Sequence, residues 1–210
     1  LPGAPTTRIR TNSPRGWSSI EEFIEWHREK EGFDQHTVHQ YNDVEGNPVG
    51  AVVRFDKDGT KTYRPLNYKD NRYHMGGPED GFPLYRVDEI KDAEVVYFVE
   101  GEKSADKARE LGLTATTTAF SSSGVEKTDF SPLAGKSVVV LPDNDEVGKT
   151  YADKVLRKAN EVGAKPLRCV ELPGLPEKGD IVDYADAQGD VTLEDIKTSV
   201  EGLVEAAPYT

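Results

Sequence analysis

The sequence predicts an α/β chain whose parallel sheet is flanked by helices and preceded by a small α+β domain with an antiparallel β-meander. Three observations predict it. From Glu94 onward, short apolar runs alternate with amphipathic stretches, and strands separated by helices pair in parallel through right-handed crossovers. Before Glu94, "HTVHQYNDVEGNPVGAVVRFDKDGTKTYRPL" holds three β-like runs broken by "EGNP" and "DKDG", turn sequences of the kind that join antiparallel strands. The apolar run "SVVVLP" ends on Asp143 and Asp145 with only Asn144 between them. Like charges that close repel unless a cation lies between them.

Taken in order, residues 1–16 are rich in Pro, Thr, Ser and Arg and read as a linker, so the chain reads as a fragment of a longer protein. "SSIEEFIEWHREKEG" has Ile20, Phe23, Ile24 and His27 at helical spacing. Ser18 with Glu21, or Ser19 with Glu22, fits a capping box, and Gly32 a C-terminal stop. The three β-runs follow, and residues 67–92, with Gly76, Gly77, Pro78, Gly81 and Pro83, read mostly as loop. Then "EVVYFVE", "LTATTTA", "SVVVLP" and "PLRCVEL" read as strands, with "KSADKARELG" and "EVGKTYADKVLRKANEVG" as helices between them. The domains expected are 17–92 (helix plus meander) and 93–190 (α/β), with a C-terminal helix or linker over 191–210.

Net charge narrows the function. The chain of 210 residues carries −12 at pH 7; residues 1–92 hold 13 Lys/Arg against 16 Asp/Glu, and 93–210 hold 13 against 22. Broad nonspecific nucleic-acid binding rests on many Lys and Arg neutralising phosphates, so any such function must use local basic patches or bound metal. A single cysteine, Cys169 in an apolar run, excludes a disulfide framework and a Cys-built zinc site and suits an inert core thiol in the cytoplasm. The four histidines have no Cys partners and share no helical spacing. No apolar run approaches the ~18 residues of a membrane span, and the start shows no secretory signal pattern.

The acidic residues fall in a pattern. Glu100 follows the first apolar strand, Asp143 and Asp145 the third, and Asp180 and Asp183 the fourth after a Pro/Gly-rich loop. In parallel α/β sheets ligands gather at the carboxyl ends of strands, so the three groups are expected on one sheet edge. Carboxylates of this kind suit Mg²⁺, which takes a few of them and keeps waters for phosphate oxygens. Each has a plainer reading: Asp143 and Asp145 as a solvated turn, Glu100 as a charge at a helix N-terminus, Asp180 as an N-cap of "IVDYADA".

"VEGEKSADKA", "LPDNDEVG" and "KGDIVDYA" resemble the conserved elements of the TOPRIM fold, and most resemble the primase modules of phage and plasmid primase-helicases. "VVRFDKDGTKTYRP" and "GFPLYRVDEI" resemble the β-rich region before that domain, so the likeness spans roughly residues 40–187. The resemblance implies a TOPRIM catalytic domain over 93–190 that makes short primers on single-stranded DNA from nucleoside triphosphates. It implies Mg²⁺ or Mn²⁺ on Asp143, Asp145, Asp180 and Asp183, Glu100 as general acid/base or outer ligand, and a helicase domain or protein as partner. Where many relatives carry an acid four positions after the motif Glu, this chain has Ser104, which implies metal binding that is weaker, or carried mainly by Asp143, Asp145 and the third cluster. A metal-dependent nuclease and a non-catalytic nucleotide- or partner-binding module are the alternatives on the same fold.

Basic and aromatic side chains together suit single strands and nucleotide phosphates. Arg54, Lys61, Arg64 and Arg86 in the β-rich region, interleaved with Tyr63, Tyr68, Tyr73 and Tyr85, and Lys103 in the "EGEK" turn are therefore the expected nucleotide- or template-binding residues. Arg54 and Arg64 lead because they lie on neighbouring runs around "DKDG". "AFSSSGVEK" reads as a mobile Ser/Gly loop, or as a phosphate cradle of backbone N–H groups.

Overall fold

A computed structural model describes residues 16–210; apart from Gly16, the expected front linker lies outside them. Helix α1 (Ile20–Glu31) begins where Ser19 Oγ accepts from the Glu22 N–H and ends at Gly32, whose φ of 65° is left-handed. The Glu22 carboxylate turns back to the N–H and hydroxyl of Ser18, so two serines share the work of the capping box. Strands β1 (Gln35–Asn42), β2 (Pro48–Lys57), β3 (Thr60–Lys69) and β4 (Arg72–Met75) form an antiparallel sheet in that order. β4 and the end of β3 fall in the stretch expected to be mostly loop. The structural reason is Asp70 and Asn71, both at positive φ, which turn the chain back so that Tyr68 pairs with Tyr73. The backbone of Trp17 pairs in turn with that of Tyr73.

Strand alternation decides what each face of this sheet does. Ala51, Val53 and Phe55 pack under α1 with Trp17, Phe23 and Ile24. Tyr41 and Val52 face the other way, into a core shared with the second half of the chain. A four-residue helix, α2 (Val87–Ile90), then leads into β5 (Val95–Phe98), α3 (Glu102–Glu110), β6 (Ala115–Thr116), β7 (Ser137–Val140), α4 (Glu146–Glu161), β8 (Leu167–Cys169), α5 (Ile181–Asp186) and α6 (Leu193–Ala206). All four of these strands pair in parallel, in the order β6-β5-β7-β8.

One face of the parallel sheet packs on α4 through Tyr151, Ala152, Val155 and Ala159. The other packs on α3, α5 and α6 through Ala105, Ala108, Tyr184 and Val200. From β5 the chain moves outward to β6, then returns to the opposite side to add β7 and β8. The strand order therefore reverses between β5 and β7, and that is where open α/β sheets bind ligands. Cys169 is half-buried, and burial pushes its thiol up from the ordinary value. No described helix is long and apolar enough to cross a membrane.

Candidate active site

The carboxylates gather at this reversal. Glu100 stands two residues beyond β5, and Asp143 and Asp145 stand three and five beyond β7. Asp145 is the N-cap of α4, its Oδ1 accepting from the Gly148 N–H at 2.7 Å. A β-carbon on Gly148 would lie 2.4 Å from the carbonyl oxygen of Asp143, so glycine lets the helix begin directly against the Asp143 backbone. Asn144, between the two aspartates, has a separate task. Its Nδ2 donates to the carbonyls of Leu175 and Pro176 at 2.9 and 3.0 Å, and its N–H to that of Gly179 at 2.9 Å. Those bonds hold the Pro/Gly-rich loop, and with it Asp180, against the strand ends.

Asp180 caps α5 in a capping box with Asp183: Asp180 Oδ1 accepts from the Val182 and Asp183 N–H groups, and Asp183 Oδ2 accepts from the Asp180 N–H. Its other oxygen accepts from the Ser104 hydroxyl at 2.7 Å. Ser104 is buried at the start of α3; a carboxylate there would meet the Asp180 carboxylate, whereas a hydroxyl donates to it.

The electrostatics are those of crowded like charges. Burial, then Glu100, Asp180, Asp145 and Asp183, raise the Asp143 pKa to about 7. Burial, then Asp145, raise that of Glu100, and a hydrogen bond from the Ser121 side chain works against the rise. Four carboxylates thus bear on Asp143, and one of them, Glu100, is itself raised. Among the described residues, however, no three His, Cys, Asp or Glu side chains are drawn together closely enough to hold a metal ion as a ready-made cage.

The basic candidates divide. Arg54 and Lys103 both line a cleft of about 320 Å³, with His39, Val52, Tyr63, Gly101, Glu102, Phe120 and Ser121. Arg54 pairs across the sheet with Tyr63 and is held by Asp56, Nη2 to Oδ1 2.8 Å. Arg64 lies opposite Val53, on the face that packs against α1, and its guanidinium reaches Glu31 at 3.3 Å. The two leading arginines therefore stand on opposite faces of the meander, because neighbouring positions across a turn need not share a face. Arg86 binds Asp106 at 3.1 Å and Glu89 at 2.9 Å and lies over the Tyr85 ring, joining α2 to α3. Lys61 is exposed near the hairpin tip.

Several residues around the site had no sequence signal of their own. The Thr117 hydroxyl accepts from the Gly101 N–H at 3.0 Å and meets the buried Tyr151 hydroxyl at 3.1 Å, fixing the turn that carries Glu100. The only hint was three consecutive threonines closing an apolar strand. The Tyr41 hydroxyl donates to Glu102 Oε1 at 2.8 Å across the junction of the two sheets. "AFSSSGVEK", read as a mobile Ser/Gly loop or a phosphate cradle, contains successive 3₁₀ turns.

No family model matches the chain, and no curated protein does. Solved structures do. The primase fragment of the bacteriophage T7 primase-helicase protein superposes with a TM-score of 0.54 at 17% identity, over 80% of this chain and 62% of that one. The Aquifex aeolicus primase, zinc-binding and RNA polymerase domains, gives 0.58 at 18%, over 93% of this chain and 51% of that one. A DnaG primase catalytic domain described as bound to ssDNA gives 0.53 at 19%, over 83% and 53%. This chain thus spans between about half and three-fifths of the length of these structures. A likeness at such identities shows architecture, and the architecture here is that of the TOPRIM-type primase catalytic cores.

Proposed function

We propose that this chain is the catalytic module of a DNA primase that joins nucleoside triphosphates into short primers on a single-stranded DNA template, with Mg²⁺ or Mn²⁺. One observation carries the reading: burial, together with the charges of four other carboxylates, raises the Asp143 pKa to about 7. Such crowding costs stability unless a cation balances it. Mg²⁺ needs only one or two carboxylates, the rest of its shell being water and phosphate oxygens. That fits the donors available here, where Asp143 and the uncapped oxygen of Asp145 would hold the ion and no cage is required. When bound, a divalent ion supplies positive potential for the triphosphate and lowers the pKa of a reacting hydroxyl.

The chain's own residues supply the rest. Glu100, half-buried and with its pKa raised by burial and by Asp145, would accept a proton from the attacking 3′-hydroxyl. Arg54, Lys103 and Tyr63 line the adjoining cleft and offer charge and a ring to template or nucleotide. A helicase domain or partner, a phage or plasmid element and a cytoplasmic setting belong to the same proposal, supported by the fold shared with the T7 primase-helicase fragment.

A second reading, a non-catalytic nucleotide-binding module, is favoured by one observation: both oxygens of Asp180 are already engaged, by α5 and by Ser104. The two separate by experiment. Glu100→Gln removes the proton acceptor and is expected to lower primer synthesis ~100-fold while the Mn²⁺-dependent rise in melting temperature persists. Wild-type primer yield from Glu100→Gln contradicts the catalytic role. A wild-type chain, joined to any zinc-binding and helicase segments it has, that binds nucleotide with Mn²⁺ but makes no primer identifies the second reading.

A further inference from the structure

We propose that the cavity walled by Phe82 and Phe120 takes one unpaired base of a single-stranded nucleic acid, with Phe120 as the stacking face at its junction with the Arg54–Lys103 cleft. The inference rests on the reading of that cleft as the nucleic-acid side of the molecule and names what its neighbour binds. This second cavity, also about 320 Å³, is lined by Pro65, Pro78, Phe82, Phe120 and Lys127 among others. Phe120 lines both concavities, and nothing in the catalytic argument uses it.

Phe120 is an exposed aromatic on a fixed support. Its accessibility is 42%, and both it and Ser121 adopt left-handed backbone, φ 59° and 49°. Bulky residues are rarely found there and stay only where the surroundings hold them. Here the surroundings do: the Ser123 N–H and hydroxyl both donate to the Phe120 carbonyl, at 3.2 and 2.9 Å. The Thr118 hydroxyl donates to the Ser121 carbonyl at 2.9 Å, and Lys154 Nζ to the Ser122 hydroxyl at 2.8 Å. Phe82 meets Phe120 edge-on at 6.1 Å and packs on the buried Tyr41 at 4.8 Å. A turn pinned at these points presents a ring to solvent when burying it would be favourable.

The occupant follows from the chemistry of the walls. Two phenylalanines and two prolines suit a flat apolar face, and Lys127 lines the same cavity with no carboxylate among its lining residues. Arg54 and Lys103 line the adjoining cleft with a single carboxylate, Glu102, which the Tyr41 hydroxyl engages, in a chain whose overall charge is −12. Local cations beside aromatic faces, in an otherwise acidic protein, match a ligand that is anionic and carries flat rings, which a nucleic-acid strand is. The volume lies at the low end of the ~300–1,000 Å³ of ligand pockets, enough for one base. Every base has a π-face, so the site reads no sequence.

Two strands of about ten nucleotides separate base stacking from phosphate contact: oligo-dT, and the same backbone with abasic sugars throughout. Titrated by fluorescence anisotropy into the whole chain, oligo-dT is expected to bind about tenfold more tightly than the abasic strand, the scale of one stacked base. Phe120→Leu lowers that ratio severalfold, Tyr63 in the adjoining cleft keeping any remainder, and leaves abasic binding as it was, whereas Phe120→Trp keeps it. Arg54→Ala weakens both strands equally. A ratio near one in the wild type, or a tenfold ratio that survives in a folded Phe120→Leu chain, overturns the proposal and leaves the cavity to an apolar side chain of a protein partner. A wild type that binds neither strand overturns it too, while the metal-dependent melting shift still judges the acidic edge by itself.

Discussion

The Asp143 charge is costly as the chain stands, since burial and then four neighbouring carboxylates oppose it. Replacing it with Asn removes the repulsion and keeps the shape, so Asp143→Asn is expected to raise the metal-free melting temperature by a few degrees, 1 kcal/mol being worth about 2–4 °C at this chain length. A lower melting temperature would mean that the crowding is not felt. Asn144 is the opposite case. Its side chain holds the 175–179 loop by two hydrogen bonds, and Asn144→Ala removes both, each worth about 0.5–1.5 kcal/mol net. The expected result is a fall in melting temperature together with faster proteolysis within residues 173–179. The aspartates were legible from charge spacing alone, but Asn144 was not, because its partners lie over thirty positions away.

At the scale of the element, the meander shows where legibility stopped. Its strands were readable from β-branched runs and turn dipeptides, but which face each residue takes depends on register. Arg54 pairs with Tyr63 and Val53 with Arg64, so adjacent positions went to opposite sides. Arg54→Ala is therefore expected to lower the salt slope of single-strand binding by about 0.7, the share of one phosphate contact, and Arg64→Ala to leave it unchanged. Equal effects from both would place the strand across both faces. β4 was missed because its pairing depends on Trp17 and on two left-handed residues, which carry no periodic signal. Helix α1 adds a pH dependence. His27 is buried against Phe55, ring centroids 4.1 Å apart, and burial lowers its pKa although Glu31, at 3.2 Å, raises it. The fold therefore favours the neutral ring. Stability is full above the unfolded value of about 6.5 and is lost as pH falls through the lower folded value. Melting curves at pH 7.5 and 5.5 are expected to differ more in the wild type than in His27→Phe, and equal differences would remove His27 as the cause.

For the whole molecule, two sheets with different logic meet at one cleft. The parallel sheet brings five carboxylates from three strand ends to its reversal point, and the antiparallel sheet lends Arg54 and Tyr63 from the face that the shared core turns towards it. The arrangement was legible because strand order and strand ends follow general rules. Its fine structure was legible only in part: the Asp180 cap was read from the sequence and is present, whereas the Asp145 cap and the Ser104 bond to Asp180 show only once the helices are in place. The central claim is that the acidic edge holds a divalent ion, and thermal melting with Mn²⁺ tests it most directly. At about a hundredfold excess over the dissociation constant, the ion stabilises a protein that binds it only when folded by about 2.7 kcal/mol. The wild-type melting temperature is expected to rise by about 5–10 °C. The double variant Asp143→Asn, Asp145→Asn keeps a good cap on α4, since Asn caps as well as Asp; it is expected to fold and to show no rise. A wild type indifferent to Mn²⁺, or a double variant that responds as the wild type does, would contradict the account.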